Sequence, residues 1–85
     1  MLKKKLTIKN KSGLHARPAA LFVQIANKFN SDITIKKGRE EVNGKSIMGI
    51  MTLAAERGSK ISLRIEGEDA EDVLRELELF LEKSD

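Results

Sequence analysis

The sequence predicts an α+β domain in which helices cover one face of a mainly antiparallel sheet. Three observations lead there. Ile61, Leu63 and Ile65 alternate with Ser62, Arg64 and Glu66, the two-residue period of a strand buried on one side only. Phe22, Ile25, Ala26 and Phe29 fall at i, i+3, i+4 and i+7, the apolar stripe of a helix lying on a core. The 85 residues carry no repeat, linker or low-complexity tract. Residues 1–85 are therefore expected to form a single domain with one modest core, which helices laid on a sheet can supply.

The elements follow in order. Leu6, Thr7 and Ile8 form a first strand, with Leu6 and Ile8 inward, and a loop of Asn10, Lys11, Ser12 and Gly13 comes next. The helical pattern runs from about Ala16 to Lys28. Pro18 fits its first turn, where a missing N–H has no intrahelical partner to lose. Ile33 and Ile35 alternate with Thr34 and Lys36 in a second strand, and Gly38 turns the chain into a short third strand over 39–43. Ser46 is placed to N-cap a short helix, IMGIMTLA, which the turn at Arg57, Gly58 and Ser59 ends. After the strand at 61–65, Asp69 is placed to cap a last helix with Ala70, Val73, Leu74, Leu77, Phe80 and Leu81 on one face. Its acids come early and Lys83 late, as the helix dipole favours. The order is β-α-β-β-α-β-α.

Composition excludes several classes of protein. With 40% hydrophobic and 34% charged residues the chain is globular rather than disordered. No apolar run nears the ~18 residues of a membrane span, and residues 1–12 are too polar for a secretory signal. A cytoplasmic protein with no membrane insertion is expected. No cysteine and one histidine leave no disulfide and no typical zinc site, so neither metal nor cofactor is expected. Charge is unevenly spread: residues 1–30 carry +7 without a single acid, and residues 66–85 carry −7. Such a pole attracts an anionic ligand or an acidic protein face, although a solvated surface is the plainer reading of Lys3 to Lys11. Nucleic acid is a poor partner. Three phenylalanines without Tyr or Trp offer little for base stacking, and no G-x-x-G loop is present.

Residues 12–20, SGLHARPAA, hold the only histidine and the only proline. Imidazole is both largely neutral and nucleophilic near neutral pH. At a helix start, His15 stands beside unpaired backbone N–H groups that favour an attached anion. Arg17 adds a permanent charge with a fork suited to phosphate oxygens. Positioning and charge neutralisation are most of what phosphoryl transfer asks of a protein, so this is a site able to hold a phosphoryl group. The competing reading is an ordinary surface histidine beside a helix cap.

The second stretch is VNGKSIMGIM, residues 42–51. Gly44, Lys45 and Ser46 imitate the end of a phosphate-binding G-x-x-x-x-G-K-[ST] loop. The first glycine of that loop would fall on Arg39, and a chain this small lacks the parallel sheet the loop requires, so nucleotide binding is rejected. Ile47, Met48, Ile50, Met51 and Leu53 occupy both faces of a two-turn helix. Some must stay exposed, as a patch for docking partners, unless a loop covers them. Simple capping is the commoner role of a serine such as Ser46, yet a phosphate there would meet a helix start and Lys45.

Together, GLHARPAA and KSIMGIM resemble HPr, the histidine-containing phosphocarrier family of the sugar phosphotransferase system, over essentially the whole chain. The resemblance implies an open-faced β-sandwich: a four-stranded antiparallel sheet of order 1-4-2-3 under three helices. It implies that His15 accepts phosphate on Nδ1 from phosphorylated enzyme I and passes it to a sugar-specific enzyme IIA. Arg17 would steady the phosphate, with Ser12, Ala16 and Pro18 shaping the turn. Ala20, Ile47, Met48 and Met51 would form the docking surface. Ser46 would be phosphorylated by an ATP-dependent HPr kinase/phosphorylase, linking a monomeric carrier, itself no enzyme, to a catabolite-control transcription factor. One departure stands out: members of the family often carry a large apolar residue where this chain has Gly44, which is expected to loosen the approach to Ser46. The alternative is a regulatory module acting through Ser46 alone.

Overall fold

A computed structural model describes residues 1–83. Strands β1 (Leu2–Thr7), β2 (Asp32–Lys37), β3 (Glu40–Asn43) and β4 (Lys60–Glu66) alternate with helices α1 (Ala16–Ala26), α2 (Ile47–Leu53) and α3 (Ala70–Glu82). The strands form one antiparallel sheet of order β1-β4-β2-β3, as the resemblance implies. The expected element order holds with shifted bounds: β1 starts earlier, at Leu2, and ends before the buried Ile8, and β4 gains a residue at each end. α1 stops at Ala26, and α2 stops before Ala54, whose left-handed φ of 52° turns the chain ahead of the Arg57 turn.

Strand alternation decides which face is covered. Ile33 and Ile35 of β2 and Ile61, Leu63 and Ile65 of β4 are buried on the helix side, and Leu6 joins them from β1. Against them lie Ala19, Phe22 and Ala26 of α1, Ile50 and Leu53 of α2, and Val73, Leu77 and Leu81 of α3. The α1 stripe is thus rotated slightly from the expected one, with Ile25 and Phe29 only packed against the core's edge. Phe22 is fully buried and meets Phe80 edge to face, with ring centroids 6.4 Å apart. Truncating such a side chain to alanine costs about 3–5 kcal/mol, because a cavity adds to the lost transfer energy.

Asp69 does stand at the N-cap of α3, but its side chain does not cap that helix. Its carboxylate instead accepts from the backbone N–H groups of Asn30 and Ser31, at 2.8 and 3.0 Å, and from the Ser31 hydroxyl. The start of α3 has Glu71 and Asp72 in its first turn to offset the dipole, which frees Asp69 to tie the α1–β2 connection to α3. Lys83 lies at the C-cap, beyond the last turn. No described helix is long and apolar enough to cross a membrane.

Candidate functional site

The loop before α1 is held at three points. The Asn10 amide donates to the Gly13 carbonyl at 2.7 Å, and the Gly13 N–H donates back to the Asn10 carbonyl at 3.1 Å, closing a tight turn. Gly13 has φ +66°, and a Cβ on it would stand 2.6 Å from the Ala55 carbonyl oxygen. The next residue, Leu14, is fully buried and donates its N–H to that same oxygen at 2.7 Å. The backbone therefore reaches His15 with little freedom left.

His15 is the N-cap of α1, with extended backbone (φ −82°, ψ −166°), and its side chain makes no capping hydrogen bond. The imidazole is exposed, as are Ala16 and Arg17. The His15 carbonyl accepts the N–H of Ala19 at 2.8 Å. Pro18, at the third helical position, has no N–H, so Ala16 and Arg17 supply the outward-facing donors of this turn. No acid occupies the first turn, and Arg17 makes no ion pair among the described residues. An open depression of about 610 Å³ adjoins Arg17, lined among others by Ser12, Pro18 and Leu21. An exposed imidazole, free N–H groups and an unpaired guanidinium can receive an anion without displacing any existing contact.

Ser46 N-caps α2 as expected, its Oγ accepting from the Gly49 N–H at 3.0 Å. The approach to it is not loose. Gly44 is buried, donates its N–H to the Ile33 carbonyl at 2.7 Å, and lies so close that a Cβ would stand 2.5 Å from the Ile33 Cγ2. The glycine is there for close approach to β2, which corrects the expectation of mobility. Asn43 Oδ1 accepts the Lys45 N–H at 2.8 Å, and the Lys45 ammonium donates to the Phe29 carbonyl at 2.7 Å. Lys45 is thus engaged with the end of α1 rather than held over Ser46.

These contacts also separate the two acceptors. Leu14, just before α1, bonds to Ala55, just after α2, while Lys45, just before α2, bonds to Phe29, just after α1. The packed helices therefore run in opposite directions, with His15 at one end and Ser46 at the other. An 11-residue helix spans about 16 Å, so the structure does not bring His15 and Ser46 together.

The apolar patch divides as the pattern demands. Ile50 and Leu53 are buried, whereas Ile47, Met48 and Met51 are exposed, Met48 at 71%. Ala20 is half-buried on α1. Sequence reasoning missed Leu21, which is exposed at 42%. Its signal was available, since Leu21 stands four residues after Arg17 and off the core stripe. It also missed the structural part of Asn10, whose only cue was the Asn10–Gly13 spacing.

The fold is an open-faced α+β sandwich that presents one exposed, uncapped histidine at an acid-free helix start. Residues 2–83 match the family model described as the PTS HPr component phosphorylation site, and the chain belongs to the HPr family. The HPr-like protein Crh of Halalkalibacterium halodurans is 52% identical over 83 residues, covering 98% of this chain and 99% of that one. The phosphocarrier protein HPr of Bacillus anthracis superposes with a TM-score of 0.91 at 51% identity, covering 94% and 95% of the two chains. Crh of Bacillus subtilis, a catabolite-repression protein crystallised as a domain-swapped dimer, superposes at 0.78 with 44% identity, covering 99% and 97%.

Proposed function

We propose that this chain is the phosphocarrier of a sugar phosphotransferase system. A lone pair of the His15 imidazole, on Nδ1, attacks the phosphorus presented by phosphorylated enzyme I. A P–N bond forms as the bond to the donor breaks, and the group then passes to a sugar-specific enzyme IIA. Arg17 and the N–H groups of Ala16 and Arg17 neutralise the phosphate oxygens, while Ser12 and Pro18 shape the turn. Ala20, Ile47, Met48 and Met51 dock the partners. The protein is a carrier rather than an enzyme: it holds the group as the substrate of one partner and is restored when it hands the group to the next. It works in the cytoplasm as a single-domain monomer of residues 1–85, with no metal or cofactor.

The observation that carries this reading is the exposed His15 imidazole, free of any capping bond at an acid-free helix start. Incubation with phosphoenolpyruvate and enzyme I is expected to add one acid-labile, base-stable phosphate to His15, located by peptide mass spectrometry. An unmodified His15 under conditions that load a known HPr would overturn it.

At Ser46, phosphorylation by an ATP-dependent HPr kinase/phosphorylase supplies regulation, through a catabolite-control transcription factor. The identity to a Crh protein favours a second reading, a purely regulatory protein working through Ser46. The two separate cleanly: a regulator keeps its cellular effect after His15→Ala, and a carrier loses sugar uptake.

A further inference from the structure

The helices cover one face of the sheet, and the other face is open. Its outward positions follow from the burial alternation and the register: Lys3, Lys5 and Thr7 on β1, Lys60, Ser62, Arg64 and Glu66 on β4, Asp32, Thr34 and Lys36 on β2, Glu41 and Asn43 on β3. None of these strand positions carries an apolar or aromatic side chain. A polar face usually gains stability by placing opposite charges across from each other, and like charges directly opposite are destabilising. Here two of the three directly opposed charged pairs do the reverse, and of the cations only Lys36 faces an acid, Glu41 of β3. Lys3 stands opposite Arg64, and Asp32 stands opposite Glu66. Asp32 and Glu66 share one corner, Glu41 stands on the β3 edge, and cations hold the rest of β1, β4 and β2. Of the cations on this face, only Arg64 has an acidic partner among the described residues, Glu41 at 3.5 Å. Lys3, Lys5, Lys36 and Lys60 are exposed and make no ion pair among the described residues. The acidic α3, with Glu71, Asp72, Glu76 and Glu78, lies on the opposite side of the sheet, the side to which Lys4 projects and where it pairs with Glu78 at 3.3 Å. α3 thus opposes in charge the mainly basic open face, and the like-charged pairs Lys3–Arg64 and Asp32–Glu66 cost sheet stability that the fold itself does not require.

We propose that the open sheet face is a docking surface for an anionic lipid bilayer. Lys3, Lys5, Lys36, Lys60 and Arg64 lie on three adjacent strands in order, β1-β4-β2. They form a two-dimensional array, with strands about 4.8 Å apart and same-face residues about 6.8 Å apart along a strand. Such an array matches a plane of headgroups better than a linear polyanion. No strand position offers a ring to stack or an apolar group to insert, so the contact is electrostatic, and the acidic α3 on the far side orients the molecule. His15 belongs to the helix layer, and its loading does not use this face. Each basic residue near an anionic surface contributes about 1 kcal/mol, a factor of about five.

The test is co-sedimentation with vesicles of phosphatidylserine in phosphatidylcholine, with pure phosphatidylcholine vesicles as control. The protein is expected to pellet with the anionic vesicles at low salt and to be released as salt rises, since screening shortens the attraction to about 10 Å at 0.1 M. Lys36→Gln/Lys60→Gln should weaken partitioning about thirtyfold, and phosphate loading of His15 should be unchanged. Lys28→Gln, which removes a cation of the helix layer, should bind as wild type. Absence of binding to the anionic vesicles overturns the proposal, as does an equal loss with Lys28→Gln, which would mean that net charge alone acts. Tighter retention on a duplex oligonucleotide at the same salt, lost with the same lysines, would reassign the face to nucleic acid.

Discussion

Two of the three helices begin at a residue that the proposed function phosphorylates, and the two starts are built differently. At α1 the His15 side chain takes no part in capping, and the turn keeps its outward N–H groups free. At α2 the Ser46 hydroxyl already serves the Gly49 N–H. Neither first turn contains an acid, so each tolerates a new negative charge. A phosphate on His15 is held only by groups that were idle before it arrived, and they return to idleness when it leaves. A phosphate on Ser46 inherits a bond the fold already uses, and its oxygens accept more strongly than a hydroxyl. The first arrangement suits a group in transit and the second a group that stays.

The sharpest test of this contrast is the loss of loading. His15→Ala is expected to abolish phosphoenolpyruvate-dependent phosphorylation completely, and Ser46→Ala to leave it at the wild-type level, both read by intact-mass spectrometry. A Ser46→Ala variant that no longer loads would tie the two helix starts together and break the comparison.

Next in size are the glycines that deliver the chain to each acceptor. Gly13→Ala places a side chain at φ +66° and 2.6 Å from the Ala55 carbonyl. The left-handed conformation and the backbone shift together cost about 2–4 kcal/mol, a fall in Tm of roughly 10 °C or more for a domain of this size. Gly44→Ala keeps an ordinary φ but meets Ile33 at 2.5 Å, with an expected cost of about 1–3 kcal/mol. Thermal melts order the two, and a Gly44→Ala variant as stable as wild type would show that Ile33 yields freely.

The contrast between the two starts was only half legible in the sequence. The strand at β4, the α1 helix and the Ser46 cap were readable because period and local propensity act within a few residues. That α2 must leave part of its apolar surface exposed was readable in the same way, whereas which residues face out, Ile47, Met48 and Met51, followed only from the family resemblance. What escaped were choices among distant partners. Lys45 goes to the Phe29 carbonyl, sixteen residues away, and Asp69 to Asn30 and Ser31. A carboxylate or ammonium has several donors or acceptors within reach of its sequence neighbourhood, and only the packed fold selects one. Gly44 was misread for the same reason, since nothing local announces that Ile33 will lie against it.

A smaller effect separates the caps themselves. Ser46→Ala removes the Gly49 bond and should cost about 1 kcal/mol, the usual worth of a serine N-cap. His15→Ala removes no capping bond and should stay within about 0.5 kcal/mol of wild type. Urea melts of the two variants give the difference directly. Equal losses would mean that the imidazole supports its helix after all.

The third helix start supplies the control and the smallest expected change. Asp69 has turned its carboxylate from its own helix to the Ser31 hydroxyl and the N–H groups of Asn30 and Ser31. Those hydrogen bonds, the Ser31 hydroxyl foremost, hold its pKa below the usual carboxylate value. A carboxyl whose pKa is depressed by folding stabilises the fold fully above its unfolded value, and that contribution fades as pH falls through the folded one. Asp69→Asn cannot ionise and accepts fewer of these bonds. Its Tm should lie below wild type near neutral pH, and the gap should close as pH drops below the ordinary aspartate value of about 3.9. Melts across that range decide it. A gap that stays constant with pH would assign the role of Asp69 to shape rather than charge. The charge-bearing caps would then be confined to the two helices that the proposed function phosphorylates.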